Sequence, residues 1–235
     1  MMKPCVIRCI ERPDARLAEQ LASFGVATVH EAYAQQGLLR PELRPVVPGK
    51  RICGPAITAL SHAGDNIMLH AAIDVAQRGD VIIVALKSPS TDGMIGELIA
   101  TQCQARGIQA VILDAGARDS AELNDMGFPV WSRAISASGT NKANPGWVNV
   151  PVSIGDVIVR PGDLVVADDD GVCVVKAEDA AAVVKACEQR IAKEDANRKL
   201  FQAGEISLDV SGLRPVLEQL GVRTYETSAE ATAAG

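Results

Sequence analysis

Two acidic side chains and one arginine have the spacing in this chain that best suits chemistry. Glu97 opens a helical pattern just after Gly96, and Arg118-Asp119 follows the apolar run 110–113. In an α/β sheet, the turn before a helix and the loop after the next strand can meet at one edge, where ligands bind. These side chains would then lie beside the free N–H groups of the helix start, which attract an anion. The pattern indicates a metal that holds an anionic substrate.

Each acid also has an ordinary structural role open to it. Asp119 precedes Ser-Ala-Glu and could cap a helix there, and an acid such as Glu97 is favoured in the first turn of a helix. The expected convergence of the two loops favours the functional interpretation. One carboxylate with water ligands is typical of Mg²⁺ or Mn²⁺ sites. Arg118 could grip a substrate carboxylate or a developing oxyanion with two parallel hydrogen bonds.

These residues, with their flanking sequence, resemble a known family. Glu97, twenty intervening residues and Arg118-Asp119 match the acid-X20-Arg-Asp signature of class II pyruvate aldolases. These are the 4-hydroxy-4-methyl-2-oxoglutarate and 4-carboxy-4-hydroxy-2-oxoadipate aldolases, in the superfamily of the regulator of ribonuclease E activity A. The resemblance covers nearly the whole chain, and its other blocks are TVHEA (28–32), GDN (64–66), GDV (79–81), GEL (96–98), RPGD (160–163) and ADDDGV (167–172).

The resemblance implies a role for each matching residue. Asp119 would bind the metal directly, Glu97 would hold one of its water ligands, and Glu194 would reach another such water from a neighbouring subunit. Many relatives carry aspartate at the position of Glu97, and the longer side chain still reaches a water. Arg118 would contact the substrate carboxylate and keto oxygen. The pyruvyl carboxylate would lie at the helix start, at Gly96 and the backbone amides of Leu98 and Ile99. Asn66 and Lys142 are candidates for contacts with distal carboxylates, and plain loop residues are the other interpretation of both.

The implied reaction is a divalent-metal-dependent cleavage of 4-hydroxy-2-oxo acids. The metal, Mg²⁺ or Mn²⁺, would take the keto and carboxylate oxygens of the substrate. Breaking the C3–C4 bond leaves a pyruvate enolate, which the metal and Arg118 stabilise. A metal-bound water or a nearby base would remove the C4 hydroxyl proton, and water would protonate C3. The products are pyruvate with oxaloacetate or a second pyruvate, in aromatic-compound degradation, and oxaloacetate decarboxylation is the expected side activity.

Other classes of function are weighed against this one. The main alternative is a non-enzymatic regulator that binds an RNA-degrading enzyme, the other role known in the superfamily. Three acids, Glu97, Asp119 and Glu194, favour the enzyme because a pure binding module does not need them. The glycines at 93 and 96 do not complete a dinucleotide-binding fingerprint. The histidines lack metal-ligand spacing and are interpreted as structural residues: His30, His62 and His70.

Composition limits the class of protein and its partners. A net charge of −6 without a basic cluster argues against a nucleic-acid partner. The apolar runs are too short to span a membrane. Six scattered cysteines without CxxC spacing, and no visible signal peptide, predict reduced thiols and a cytoplasmic location. The expected partners are a small 2-oxo acid and, from the resemblance, other copies of the chain in a homotrimer or homohexamer.

Apolar periodicity predicts the elements that position these residues. N-terminal helices are expected within 14–36, the second from Val29 to Gln36 with Thr28 as its cap. Alternating strands and helices, followed by short strands separated by turns, fill an α/β core over 51–175. A long helix and a tail occupy 177–235. The prediction is one domain over 1–235, with a mixed, mostly parallel sheet layered with helices, an α-β-β-α sandwich of swivelling-domain type.

Overall fold

The computed structural model describes residues 2–233, and its internal contacts divide the chain into a unit that ends at Glu188 and one that begins at Gln189. The strands are β1 (Cys5–Val6), β2 (Arg44–Pro45), β3 (Ile52–Ser61), β4 (Val81–Leu86), β5 (Gly93–Ile95), β6 (Ala110–Ala117), β7 (Val130–Ile135), β8 (Trp147–Val148), β9 (Val152–Ile154), β10 (Val157–Val159), β11 (Leu164–Asp168) and β12 (Gly171–Val175). The helices are α1 (Ala15–Phe24), α2 (Val26–Ala32), α3 (Ile67–Val75), α4 (Glu97–Ala105), α5 (Ser120–Met126), α6 (Ala180–Gln202), α7 (Ser207–Val210), α8 (Arg214–Gln219) and α9 (Ser228–Ala233), with a 3-10 helix at Ala177–Asp179.

A mixed, mostly parallel sheet forms the centre of the first unit, as predicted. Its strand order is β1-β8-β3-β4-β6-β7-β2. The pairs β3–β4, β4–β6 and β6–β7 are parallel, whereas β2 and β8 run antiparallel to β7 and β3. β5 adds a parallel pairing at the end of β6. Because β3, β6 and β7 point the same way, the loops after them lie at one edge of the sheet.

Strand β3 is long enough to belong to two sheet layers. Residues 52–55 pair antiparallel with β11, and residues 56–61 pair parallel with β4. β11 in turn forms a hairpin with β12. Gly54 lies near the point where β3 passes from one layer to the other. A Cβ there would lie 2.2 Å from the carbonyl oxygen of Gly79, so the close approach of the two backbones requires glycine.

The two faces of the central strands pack into different hydrophobic cores. Ile82 and Val84 share one core with α3, α4 and α5, whereas Ile83 and Ala85 pack with residues of β11 and β12. The opposite face of β11 and β12 forms a third core with α1, α2 and the start of α6. Helices therefore cover both outer faces of two stacked sheet layers. The predicted α-β-β-α layering is confirmed.

The second N-terminal helix differs from its predicted bounds. α2 begins at Val26 rather than Val29 and ends at Ala32 rather than Gln36, so Thr28 lies inside it. The N–H of Val26 donates to the Asp168 carboxylate over 2.9 Å. The cap therefore comes from the end of β11, which no pattern near position 26 reveals.

The second unit leaves its apolar side chains exposed or only partly buried. None of its described residues, 189–233, is buried. Its exposed large apolar residues are Leu200, Phe201, Ile206, Leu213, Val216, Leu220, Val222 and Tyr225. Between residues 2 and 233, no helix combines the length and the apolar character that a membrane crossing requires.

Candidate functional site

A cavity of about 410 Å³ opens where the loops after β3, β6 and β7 meet the start of α4. The start of α3 and the loop that follows β7 complete its wall. Its lining residues are Asn66, His70, Gly93, Met94, Gly96, Leu98, Ile99, Arg118, Asp119, Gly139, Thr140 and Lys142. The loops predicted to converge do so. Most of the residues predicted to contact substrate surround one volume.

Asp119 supports a helix other than its own. It occupies the N-cap position of α5, yet its side chain accepts no capping hydrogen bond from that helix. Instead its Oδ2 accepts the backbone N–H of Glu97, the first residue of α4, over 3.0 Å. Its backbone is left-handed (φ 53°, ψ 44°), a conformation that aspartate tolerates better than most residues. The carboxylate is 40% exposed, and in the described part of the chain Oδ1 has no protein donor.

Gly96 allows the Asp119 carboxylate to approach α4. A Cβ at position 96 would lie 2.1 Å from Oδ2 of Asp119 and 3.1 Å from Cγ of Arg118. The φ of Gly96 is −144°, which any residue adopts. The requirement for glycine is therefore one of space at the site.

Arg118 extends along the wall of the same cavity. Its Nε lies 3.7 Å from Oδ2 of Asp119, and its side chain is 47% exposed. Its backbone N–H donates to the carbonyl of Ile95 over 2.9 Å, which fixes the start of the loop. Within residues 2–233 the guanidinium donates no hydrogen bond, so its N–H groups are available to a ligand.

The start of α4 provides further donors. The first N–H groups of a helix have no partner within it. Here the N–H of Ala100 reaches the Gly96 carbonyl (3.1 Å), whereas those of Leu98 and Ile99 find no acceptor among the described residues. Two backbone donors, the helix dipole and the Arg118 charge together favour a bound anion.

Glu97 is less directly engaged than its sequence position suggests. Its backbone N–H meets Asp119, but its carboxylate accepts a hydrogen bond from the Thr101 hydroxyl one turn along α4, over 2.9 Å. Its side chain is therefore turned along the helix surface. The predicted contact with a metal-held water stays a prediction.

Asn66 and His70 lie one helical turn apart beside the start of α3. Asn66 is 3% exposed, and its Nδ2 donates to the Met94 carbonyl over 3.0 Å. In the described part of the chain, Oδ1 of Asn66 and Nε2 of His70 are buried without a partner. Burial first, and then the positive charge of Lys142, lower the pKa of His70. Sequence reasoning missed His70 as a lining residue, although its i,i+4 spacing from Asn66 places both on one helix face.

A metal at this site would have to rely on few protein ligands. Within residues 2–233, no three His, Cys, Asp or Glu side chains come together as a ligand group. Asp119 nevertheless presents a partly exposed carboxylate with one unengaged oxygen. Glu194 belongs to the second unit, where it pairs with Arg190 over 2.8 Å. Its predicted role in a neighbouring subunit stays a prediction.

Comparison with known proteins gives a consistent assignment. A family model described as RraA-like, aldolase/RraA, matches residues 26–174. A relative from Halalkalibacterium halodurans, named as a candidate 4-hydroxy-4-methyl-2-oxoglutarate aldolase, is 30% identical over 182 residues, which cover 77% of this chain and 84% of the relative. A similarly named protein from Arabidopsis thaliana is 27% identical over 165 residues, covering 68% of this chain and 98% of that protein.

Solved structures agree on the fold. The Streptomyces coelicolor protein RraAS2, described as an unusual member of the RNase ES inhibitor RraA protein family, superposes with a TM-score of 0.72 at 27% identity, over 81% of this chain and 99% of that chain. An uncharacterized protein from Pseudomonas syringae reaches a TM-score of 0.74 at 23% identity, over 86% and 100%. The latter likeness concerns the fold alone. The span matched by the family model contains every predicted site residue except Glu194.

Proposed function

This chain belongs to the aldolase/RraA family, and from that premise we propose that it is a divalent-metal-dependent aldolase acting on 4-hydroxy-2-oxo acids. The proposed substrates are 4-carboxy-4-hydroxy-2-oxoadipate and 4-hydroxy-4-methyl-2-oxoglutarate, cleaved to pyruvate plus oxaloacetate or pyruvate. The observation that carries the proposal is the meeting of Asp119, Arg118 and the free N–H groups of α4 at one cavity. Oxaloacetate decarboxylation, a role in aromatic-compound degradation and a cytoplasmic location belong to the same proposal.

The pyruvyl end of the substrate fits the start of α4. The N–H groups of Leu98 and Ile99 can donate to its carboxylate, and the guanidinium of Arg118 can reach the carboxylate and the keto oxygen. This arrangement orients the keto acid before any bond breaks. It also concentrates positive charge where the enolate oxygen develops during cleavage.

The carboxylate oxygens of Asp119 are ligands of the kind that Mg²⁺ or Mn²⁺ prefers. We propose that Asp119 is the direct protein ligand and that Glu97 and Glu194 hold waters around the ion. An ion held by one carboxylate and several waters is ordinary for Mg²⁺, which gives up its waters reluctantly. The chemistry that such an ion supplies when bound is Lewis-acid stabilisation of an enolate.

Cleavage itself redistributes one proton and one electron pair. The C4 hydroxyl loses its proton, C4 becomes a carbonyl carbon, and the electrons of the C3–C4 bond remain on the pyruvyl fragment as an enolate. Arg118 stabilises that charge, and C3 then takes up a proton to give pyruvate. In the same cavity, the ammonium of Lys142 and the second amide N–H of Asn66 are proposed to meet distal carboxylates of the substrate.

A substrate panel tests the proposal. Pyruvate release from several branched 4-hydroxy-2-oxo acids should depend on added Mg²⁺ or Mn²⁺ and should stop in EDTA. Restoring the metal should restore the rate. An unchanged rate in EDTA, or no pyruvate from any member of the panel, would refute a metal-dependent aldolase.

A regulator of RNA processing is the second candidate, favoured by the likeness to RraAS2. Such a protein would inhibit a purified ribonuclease E-type enzyme without any need for a metal. The Asp119→Asn variant separates the two functions because it removes the proposed metal ligand. Full inhibition by this variant, together with no aldolase activity in the native protein, would select the regulator.

Gly96→Ala should damage the site while the fold persists. The added methyl group would overlap Oδ2 of Asp119, so the carboxylate must shift away from α4. Displacing a positioned ligand in this way should lower turnover roughly tenfold or more. Gly139→Ala is the matched control, because a Cβ there meets only Arg118 Nη1, at 4.0 Å. Equal turnover of the two variants would contradict the proposed use of Asp119.

Glu194→Ala should lower turnover about tenfold, the usual effect of losing a residue that orients a metal ligand. The resemblance implies a trimer or hexamer in which this segment serves the next subunit, and the exposed apolar side chains of the second unit support such an assembly. The inactive Asp119→Asn protein and the weakened Glu194→Ala protein, dissociated and reassembled together, should form some sites with both residues intact. Mixed oligomers that exchange subunits but gain no activity over the Glu194→Ala protein in the mixture would place the action of Glu194 within its own chain or nowhere.

A further inference from the structure

The loop over residues 136–146 forms part of the cavity wall, and hydrogen bonds hold it to neighbouring segments near both of its ends. Near its start, the Ser138 hydroxyl donates to Oδ1 of Asp92 over 2.7 Å, and the Ser138 carbonyl accepts the N–H of Gly93 over 2.9 Å. Near its middle, Asn141 exchanges backbone hydrogen bonds with Gly64 (2.8 Å) and Asn66 (3.1 Å). The wall is therefore fixed to neighbouring segments along much of its length.

Asp65 supplies the link at the far end of this loop. It is fully buried, and its carboxylate accepts four hydrogen bonds. Oδ1 accepts the N–H of Ile67, the first residue of α3, over 2.9 Å. Oδ2 accepts the N–H of Ala143 (2.7 Å) and both the backbone and side-chain N–H groups of Asn144 (2.8 and 3.1 Å). One carboxylate thus joins the helix start to the loop.

The two segments joined by Asp65 both contribute residues to the lining of the cavity. Asn66 and His70 lie at the start of α3, and Lys142 directly precedes the first loop donor, Ala143. Burial first, and then the positive charge of Lys142, lower the pKa of His70 in α3, so this charge acts on the helix. The other charged residues that line the cavity are Arg118 and Asp119.

We propose that Asp65 is a positioning residue for Lys142, holding the loop so that Lys142 keeps its place in the cavity lining near His70. The identity of the group that Lys142 meets, a distal substrate carboxylate, rests on the proposed function. The positioning itself does not, because it depends only on contacts within the chain.

Asp65→Asn is the sharpest variant because it preserves size. An aspartate oxygen faces donors on each side, at Ile67 on one and at Ala143 and Asn144 on the other. An asparagine can offer an oxygen to one side only, and its NH₂ group then opposes a part-buried N–H on the other. Two donors that face each other where water has little access are costly, so the loop should separate from the start of α3.

The pKa of His70, followed by NMR, reports the place of the Lys142 charge without any substrate. The chain has three histidines, and His70→Gln assigns the signal. Lys142→Met should raise the pKa of His70, because a nearby positive charge disfavours the protonated ring. Asp65→Asn should also raise it, and should cause no further rise in the Lys142→Met background. Loss of the Asp65 charge alone would lower this pKa, so the sign of the shift separates the two effects.

Asp163→Asn is the matched control. Asp163 is also buried and accepts backbone N–H groups, from Arg160 (2.8 Å) and Ala177 (3.2 Å), but does not line the cavity. The Asp163→Asn substitution should lower the thermal stability of the protein and leave the pKa of His70 unchanged. Should Asp65→Asn fail to fold, Asn144→Ala deletes one of the hydrogen bonds to Oδ2 and should produce a smaller rise in the same direction.

Kinetics then connect the position of Lys142 to the substrate. Asp65→Asn should raise KM for tricarboxylic substrates about tenfold, the effect of one lost charge-assisted contact. It should leave exchange of the pyruvate methyl protons, which involves no distal carboxylate, within twofold of wild type. No pyruvate release by the native protein would refute the proposed function but leave the titration valid. An unchanged or lowered His70 pKa in Asp65→Asn, or a further rise in the Lys142→Met background, would overturn the positioning role.

Discussion

Asp119→Asn is expected to abolish nearly all aldolase activity while the fold stays intact. Asparagine has the same shape and tolerates the left-handed backbone at this position. Its amide oxygen can still accept the N–H of Glu97, so the start of α4 keeps its contact. What is lost is the negative charge that the proposed metal requires. Removing about 4 kcal/mol of Lewis-acid stabilisation corresponds to about a thousandfold in rate.

Two measurements distinguish this outcome from a general defect. Calorimetric titration with Mn²⁺ should give a binding signal for the native protein and none for Asp119→Asn, and their thermal unfolding should be similar. Asp125→Asn removes an exposed carboxylate from α5 and should behave as wild type in both. A folded Asp119→Asn protein with near wild-type turnover in Mg²⁺ would show that the metal is held elsewhere.

The sequence predicted the framework because its signals are local and repeat. The apolar run that became β4 fills both faces of a central strand, and the alternation of strands with helices specifies parallel neighbours. From parallel neighbours it follows that the loops holding Glu97 and Arg118-Asp119 meet at one edge. The family resemblance, carried by the same residues, is confirmed by the match over 26–174.

The details that escaped prediction arise from contacts between distant segments. The sequence allowed Asp119 to be the cap of α5. In the fold its carboxylate instead accepts the N–H of Glu97 at the start of α4. Asp168 caps α2 from the end of β11, which displaced the predicted start at Val29. The glycine-bearing turn before Glu97 contains a short strand, β5, because Gly93 and Ile95 pair with the end of β6. In the sequence, nothing distinguishes His70 from an ordinary helical histidine. Only the fold brings the loop that carries Lys142 near it.

Arg118→Lys should be almost as damaging as Arg118→Ala. Lysine keeps the positive charge but loses the planar group that can donate two parallel hydrogen bonds to a carboxylate or an enolate. The guanidinium makes no hydrogen bond to the described part of the protein, so its donors are free for substrate. Losing a donor that acts on the transition state costs about 3 kcal/mol, which is about a hundredfold or more in rate.

The measurement is kcat and kcat/KM for pyruvate release, together with the affinity for oxalate, a planar dianion that resembles the enolate. All three values should fall in Arg118→Lys if the arginine binds the developing charge with two hydrogen bonds. Arg16→Lys changes an exposed arginine of α1 and should leave all three at wild type. If Arg118→Lys instead retains native turnover while Arg118→Ala loses it, then a single positive charge suffices and the geometry of the guanidinium plays no part. Loss of turnover without loss of oxalate affinity would contradict the binding of the enolate by Arg118.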